Sequence, residues 1–201
     1  PFYILLKPKV SIITPFINAE SLVAKLIENI QAQTFEDWEL IMIDDDSLDG
    51  GGSIVKNFAA RDCRIKMLNS PKYRNEKSRI GPWYARNYGL ENAKSDLVAF
   101  LDVDDLWHPQ KLELQLEVHE NLGVGVTYTN YFTFDLSTRI INEYREFPPL
   151  VNYRSFLSHN PIPISTSMIN KSLVGRGFAP TFLEDYCFWL EVAKRIDGKG
   201  I

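Results

Sequence analysis

Glu39-Leu-Ile-Met-Ile-Asp-Asp-Asp46 decides the fold, because an unbroken apolar run stops abruptly at three carboxylates. Leu40 to Ile43 shows no polar alternation, so both faces of this strand must be covered, as in a parallel sheet held between helices. Outward from it the chain keeps a strand–helix rhythm. Upstream, Val10-Ser-Ile-Ile-Thr14 reads as a buried strand and residues 20–33 as a helix with Leu22, Leu26 and Ile30 on one face. Downstream, a helix is expected from about Ser53, with Ser53 as N-cap and Val55, Phe58 and Ala59 turned inward. Ile65-Lys-Met-Leu68 follows as a strand, Pro82 to Ala93 as a helix opened by proline, and Leu97-Val-Ala-Phe-Leu101 as a fourth strand. The pattern predicts an α/β protein with a Rossmann-like, mostly parallel sheet flanked by helices on both faces.

Beyond Asp102 the rhythm changes. Leu112, Leu114, Leu116 and Val118 alternate as in a strand, yet the Lys, Glu, Gln and Leu content of residues 109–121, with Pro109 at a first-turn position, favours helix. Residues 125–145 are rich in Val, Thr, Tyr, Phe and Ile and predict a small antiparallel element in the C-terminal half, turning around Asp135 to Thr138. Residues 146–163, with prolines at 148, 149, 161 and 163, read as a loop holding one short helix. Glu184 to Ile196 closes the chain as a helix with acids at its start and bases at its end. No repeat or linker interrupts the 201 residues, so a single domain is expected.

Composition narrows the function. Twenty-six acids against 22 Lys and Arg give a net charge of -4, which argues against general nucleic-acid binding. Cys63 and Cys187 form neither a CxxC nor a zinc-finger spacing, so a reducing, cytoplasmic setting is expected. No apolar run approaches the ~18 residues of a membrane span. The apolar start, Pro1 to Val10, is broken by Lys7, Pro8 and Lys9 and has no signal-peptide pattern. No integral membrane segment is predicted, which leaves room for peripheral contact with a membrane.

In parallel α/β sheets ligands gather beyond the carboxyl ends of the strands. Here those ends are Thr14-Pro-Phe-Ile-Asn18, Asp44-Asp-Asp-Ser-Leu-Asp49 and Asp102-Val-Asp104-Asp105. Asp-rich segments commonly make only turns and helix caps. Asp102-Val-Asp104 carries more: if the strand persists past Leu101, a period of two sets both carboxylates on one side. Two converging oxygen ligands suit Mg²⁺ or Mn²⁺, whose open positions phosphate oxygens fill. Arg64, Lys66, Lys72, Arg74, Lys77 and Arg79 form a basic stretch after the second Asp cluster, either a solvated loop or, if it flanks both clusters, a partner for a diphosphate.

Val10-Ser-Ile-Ile-Thr-Pro15, Gln33-Thr-Phe-Glu-Asp-Trp-Glu-Leu-Ile-Met-Ile-Asp-Asp-Asp-Ser47, Ala85-Arg-Asn-Tyr-Gly89 and Phe100-Leu-Asp-Val-Asp-Asp-Leu-Trp-His-Pro-Gln-Lys-Leu112, in that order and spacing, resemble the family 2 glycosyltransferases from about Lys9 to Ile196. The resemblance implies a GT-A fold and an inverting transfer from a nucleotide-sugar donor, a UDP-sugar being favoured. The acceptor would be a hydroxyl of a carbohydrate or lipid-linked molecule, and Mn²⁺ or Mg²⁺ would assist. The family's DxD motif maps onto Asp102-Val-Asp104, with Asp104 the direct metal ligand. Its nucleoside-binding acid maps onto Asp45 with Asp44 beside it, and its strand-one motif onto Thr14, Pro15 and Phe16 through Asn18. Arg74 is the choice from the basic stretch for nucleotide contact. Glu184-Asp185 maps onto the family's acid pair, with Asp185 as base and Glu184 as the alternative; both acids would also suit a helix N-terminus on electrostatic grounds alone.

The resemblance also divides the chain into a nucleotide-binding half, about 9–105, and an acceptor-binding half, about 106–201. It implies that an acceptor-side segment continues past Gly198-Lys-Gly-Ile201. Ile17 stands where the family often has Tyr, which leaves Phe16 to stack on the base. Asp46 replaces the usual Gly or Asn, and Trp83-Tyr84 replace small residues.

Other chemistries fit less well. His108, His119 and His159 make no HExxH, and there is no GxSxG elbow or P-loop. A sugar-nucleotide nucleotidyltransferase would need a Gly- and Arg-rich loop after the first strand. A receiver-type signalling domain would need acids after strands one and three. A degenerate transferase that binds nucleotide without turnover is the remaining alternative.

Overall fold

The computed structural model describes residues 7–71, 81–135, 138 and 140–196. Strands β1 (Val10–Phe16), β2 (Trp38–Asp44), β3 (Ile65–Asn69) and β4 (Leu97–Phe100) alternate with helices α1 (Glu20–Gln31), α2 (Gly51–Ala59) and α3 (Trp83–Asn92). The second half holds α4 (Lys111–Leu122), β5 (Val126–Tyr128), β6 (Tyr131–Phe134), β7 (Ile141–Arg145), α5 (Tyr153–Phe156), β8 (Ser167–Asn170) and α6 (Glu184–Arg195). The main sheet has the order β3-β2-β1-β4-β8-β5. Its first four strands run parallel, while β8 is antiparallel to β4 and to β5. Helices cover both faces, as the apolar strands predicted.

The reason is visible in single residues. Ile13, Ile41, Ile43 and Phe100 face one core with Ala85 and Leu90 of α3 and Phe188 and Trp189 of α6. Their chain neighbours Ile12, Leu40, Met42 and Ala99 face the other, with Val23, Leu26 and Ile30 of α1, Val55 of α2 and Leu112 of α4. A period-two backbone that is buried on both faces favours apolar residues at successive positions, and where β1 and β2 carry polar ones, Ser11 and Glu39 hydrogen-bond each other. Helix α3 lies so close to the sheet that a Cβ on Gly89 would come within 2.5 Å of the Ile13 side chain, so only glycine fits there.

Three local expectations are corrected. Ser53 does not cap α2: the helix begins at Gly51 with Gly50 at the N-cap and no side-chain cap, and the Gly51 N–H donates to Asp49 Oδ1 at 3.0 Å in the turn before it. Strand β4 does not persist past Leu101. The chain turns instead, with Asp105 N–H donating to Asp102 O at 3.1 Å, so a turn rather than strand periodicity disposes Asp102 and Asp104. Strand β8 has no clear sequence signature, because Ser167-Met-Ile-Asn170 is short and follows a 3-10 turn over Ile164–Thr166. Its pairing with β4 and β5 makes it a strand. The antiparallel hairpin expected at 125–145 exists as β6–β7, while β5 joins the main sheet.

Candidate active site

The register sets Phe16 opposite Asp44 and Asp44 opposite Asn69, so the carboxyl ends of β1, β2 and β3 finish level. Strand order reverses at β1, which has β2 and then β3 on one side and β4 on the other. A crevice opens at such a switch point. The loops after β1 and β2 are tied across it. Asn18 N–H donates to Ser47 Oγ (3.0 Å), Leu48 N–H to Asn18 Oδ1 (2.8 Å) and Glu20 N–H to Asp49 Oδ2 (2.7 Å). Asn18 and Asp46 take left-handed backbones, with φ of 48° and 69°, a conformation these residue types tolerate.

The candidate nucleotide residues divide by environment. Thr14, Pro15 and Phe16 are all buried, and Phe16 at 2% exposure keeps its ring in the core; Ile17 and Asn18 are what this turn presents to solvent. Asp44 Oδ1 accepts from Ser47 N–H at 2.8 Å and so shapes the turn. Asp45 is half-buried, and its N–H donates to Phe16 O at 2.9 Å. Arg74 lies outside the described residues, as do Lys72, Lys77 and Arg79. Arg64 and Lys66 do not flank the Asp clusters. Arg64 pairs with Asp62 and lies 3.9 Å over the Trp38 ring, and Lys66 pairs with Glu39 at 2.6 Å, toward the amino ends of β2 and β3.

Across the crevice the acids come from both halves of the chain. Arg86 of α3, only 3% exposed, donates from Nη2 to Asp102 Oδ1 and from Nη1 to Glu184 Oε1, each at 2.5 Å. Asp102 N–H donates to Ser165 Oγ at 3.0 Å, and Ser165 O accepts from Trp107 Nε1 at 2.8 Å. Asp105 also hydrogen-bonds Ser165. Desolvation by the surrounding protein raises its carboxyl above the usual range, and Asp102 and Asp104 add a smaller push the same way. Glu184 is buried, whereas Asp185 is half-buried and receives Asn160 Nδ2 on Oδ2 at 2.8 Å. The structure thus links Asp102 with Glu184 and sets Asp185 one residue further on.

The donor set suits a hard divalent cation completed by its ligand. Among the described residues no three His, Cys, Asp or Glu side chains form a ready cage. Arg86 occupies one oxygen of Asp102, and Asp104 is exposed. Two carboxylates plus phosphate oxygens and water are the usual complement of Mg²⁺, and oxygen donors suit Mn²⁺ equally.

Sequence reasoning missed Arg86, Ser165 and Asn160 as members of this site. Arg86 stands within Ala85-Arg-Asn-Tyr-Gly89. A charged residue between Ala85 and the tightly packed Gly89, on a helix pressed against the sheet, was the available signal. Ser165 lies in the short 3-10 turn over Ile164–Thr166 and Asn160 in the loop before it, neither with a local signal.

The mostly parallel sheet with its strand-order switch at β1 and an antiparallel β8 is the arrangement of the GT-A fold. Residues 11–178 match the family model Glycosyl transferase family 2, and the chain belongs to that family. It is 32% identical over 191 residues to the putative teichuronic acid biosynthesis glycosyltransferase TuaG of Bacillus subtilis, covering 94% of this chain and 73% of that protein. It is 33% identical over 186 residues to the Escherichia coli UDP-Glc:alpha-D-GlcNAc-diphosphoundecaprenol beta-1,3-glucosyltransferase WfgD, covering 92% and 70%.

Among solved structures, S. aureus TarS 1–349 in complex with UDP shares the fold with a TM-score of 0.72 at 21% identity, over 92% of this chain. The mannosyltransferase PcManGT of Pyrobaculum calidifontis, in complex with GDP-Man and Mn²⁺, aligns with a TM-score of 0.65 at 18% identity, over 94% of this chain. The chain spans about half of those two, 55% and 53%. No helix among the described residues is long and apolar enough to cross a membrane.

Proposed function

We propose that this chain carries the donor-binding and catalytic core of an inverting glycosyltransferase that uses a nucleoside-diphosphate sugar, with a UDP-sugar favoured, at the cytoplasmic face of a membrane. Residues of about 9–105 bind the nucleotide and those of about 106–201 face the acceptor, a carbohydrate or lipid-linked hydroxyl. The observation that carries the reading is the junction of the two halves at Arg86, with Asp102 on one side and Glu184 on the other. Support for the donor comes from TarS with UDP, and support for the acceptor from WfgD, whose name specifies a diphosphoundecaprenol-linked sugar.

In this reading Asp45 receives the nucleoside, and Asp104 and Asp102 would hold Mn²⁺ or Mg²⁺. The cation, when bound, neutralises charge growing on the leaving diphosphate. Asp185 takes the proton of the acceptor hydroxyl as its oxygen bonds to the anomeric carbon. The bond from that carbon to the diphosphate breaks on the opposite face, and the nucleoside diphosphate leaves with the electron pair. A positioned carboxylate base contributes ~10²–10⁴-fold.

Calorimetry with UDP tests the donor site. Binding that strengthens with Mn²⁺ is expected in the wild-type chain and should lose that Mn²⁺ dependence in the Asp102→Ala/Asp104→Ala variant. Unchanged Mn²⁺ dependence in the variant would remove both acids from the metal site. A screen of UDP-, GDP- and dTDP-sugars for slow Mn²⁺-dependent hydrolysis then separates an active transferase from a module that binds nucleotide without turnover.

A further inference from the structure

Arg86 belongs to α3 by sequence and to two other elements by its bonds. Its guanidinium is 3% exposed, and its two terminal nitrogens are used by carboxylates that arrive from opposite sides, each at 2.5 Å. One is Asp102 at the carboxyl end of β4, the other Glu184 in the first turn of α6. The Phe178 ring lies 5.4 Å from the guanidinium carbon. Gly81, with φ of +69°, backs Glu184 so closely that a Cβ there would come within 3.3 Å of Oε2.

A buried ion pair is a weak source of stability, because desolvation of its charges offsets their attraction. Arg86 Nε also has no hydrogen-bond partner among the described residues. What a planar fork does supply is geometry: it fixes two carboxylates relative to each other in a way a flexible ammonium cannot. Further along α6 the link to β4 is apolar, through the edge-on contact of Phe100 with Phe188. The directional contact is at the first turn, next to Asp185.

We infer that Arg86 is a positioning residue, which registers the start of α6, and with it Asp185, against the end of β4 where Asp102 and Asp104 stand. This rests on the functional reading above and adds to it a residue that touches neither donor nor acceptor. By holding Glu184 in the bridge, Arg86 also leaves Asp185 as the acid free to act on the acceptor, and it leaves one oxygen of Asp102 for the ligand.

The test uses Arg86→Lys and Arg86→Gln with three readouts: thermal melting, Mn²⁺-dependent UDP affinity by calorimetry, and Mn²⁺-dependent hydrolysis of UDP-glucose, in which water stands in for the acceptor. Misplacement by about 1 Å costs on the order of 10²-fold in turnover, so hydrolysis should fall by that order in the folded Lys variant while UDP affinity stays near the wild-type value. Wild-type hydrolysis by either folded variant would overturn the inference. So would a parallel loss of affinity and turnover, which would place Arg86 in donor binding, or failure of both variants to fold, which would make it a stability element. If the wild-type chain neither binds UDP with Mn²⁺ nor hydrolyses UDP-glucose, the functional reading falls and this inference with it. Wild-type activity with unimpaired variants removes only the role of Arg86.

Discussion

Glu184 and Asp185 are neighbours in the chain with opposite circumstances. Glu184 is 7% exposed and bound to Arg86, so it already satisfies a fixed positive charge. Asp185 is half-buried, and its hydrogen-bond donors among the described residues are neutral, Asn160 Nδ2 and the Tyr186 N–H. Replacing each should therefore do different things. Asp185→Asn is expected to cut turnover ~10²–10⁴-fold with UDP affinity retained. Glu184→Ala should lower unfolding free energy by ~1–3 kcal/mol, because it takes one partner from a buried guanidinium. Steady-state kinetics and thermal melts on the two variants read these effects separately. The Glu-Asp pair was legible in the sequence through resemblance, but which acid is tied and which is available was not. That depends on Arg86, almost a hundred positions away in the chain.

At the scale of elements, two helix ends carry charges whose effects can be measured. Asp62, just past α2, accepts from Arg64 and Gln31, and the Arg64 hydrogen bond is the main cause that holds its carboxyl down at about 2 against an ordinary 3.8. A carboxyl depressed by folding stabilises above its unfolded pKa and loses that contribution as pH falls through the folded one. Asp62→Asn should therefore lower stability near neutral pH by ~1 kcal/mol, a modest figure because the partly exposed Arg64 is screened by solvent. In urea titrations the gap from wild type should close between about pH 4 and pH 2.

Lys111 opens α4 with its ammonium buried, 3.5 Å from the Trp107 ring centroid and without a hydrogen-bond partner among the described residues. Burial pushes it well below the ordinary lysine range, and the indole face offsets part of that. Its penalty grows as pH drops below the unfolded lysine value. Lys111→Met should stabilise the protein by ~1–2 kcal/mol at about pH 6 and by less at about pH 10, as thermal melts at the two pH values would read.

At the scale of the whole molecule, local pattern was enough for the parallel half. Its central strands are largely apolar because they feed two cores, and a run such as Leu40 to Ile43 advertises that without any knowledge of its partners. The hairpin of β6 and β7 was equally local, since its strands are near neighbours in the sequence. Strand β8 was not, because Ser167-Met-Ile-Asn170 has a weak intrinsic preference and becomes a strand only between β4 and β5. The same holds for the site. Asp clusters at strand ends could be read from the chain because a parallel sheet puts ligands there. Their disposition could not: Asp102 and Asp104 are set by a turn, Phe16 is drawn into the core, and Arg64 and Lys66 pair away from the crevice.

Residue periodicity therefore sufficed for the class of fold and for the acids at the strand ends, since burial on two faces and turn chemistry act over a few residues at a time, while the family was legible only through the resemblance of its ordered motifs. The junction of Asp102, Arg86 and Glu184 came only with the folded chain, because it joins a strand end, a helix and a distant helix start that approach one another only when both cores have packed.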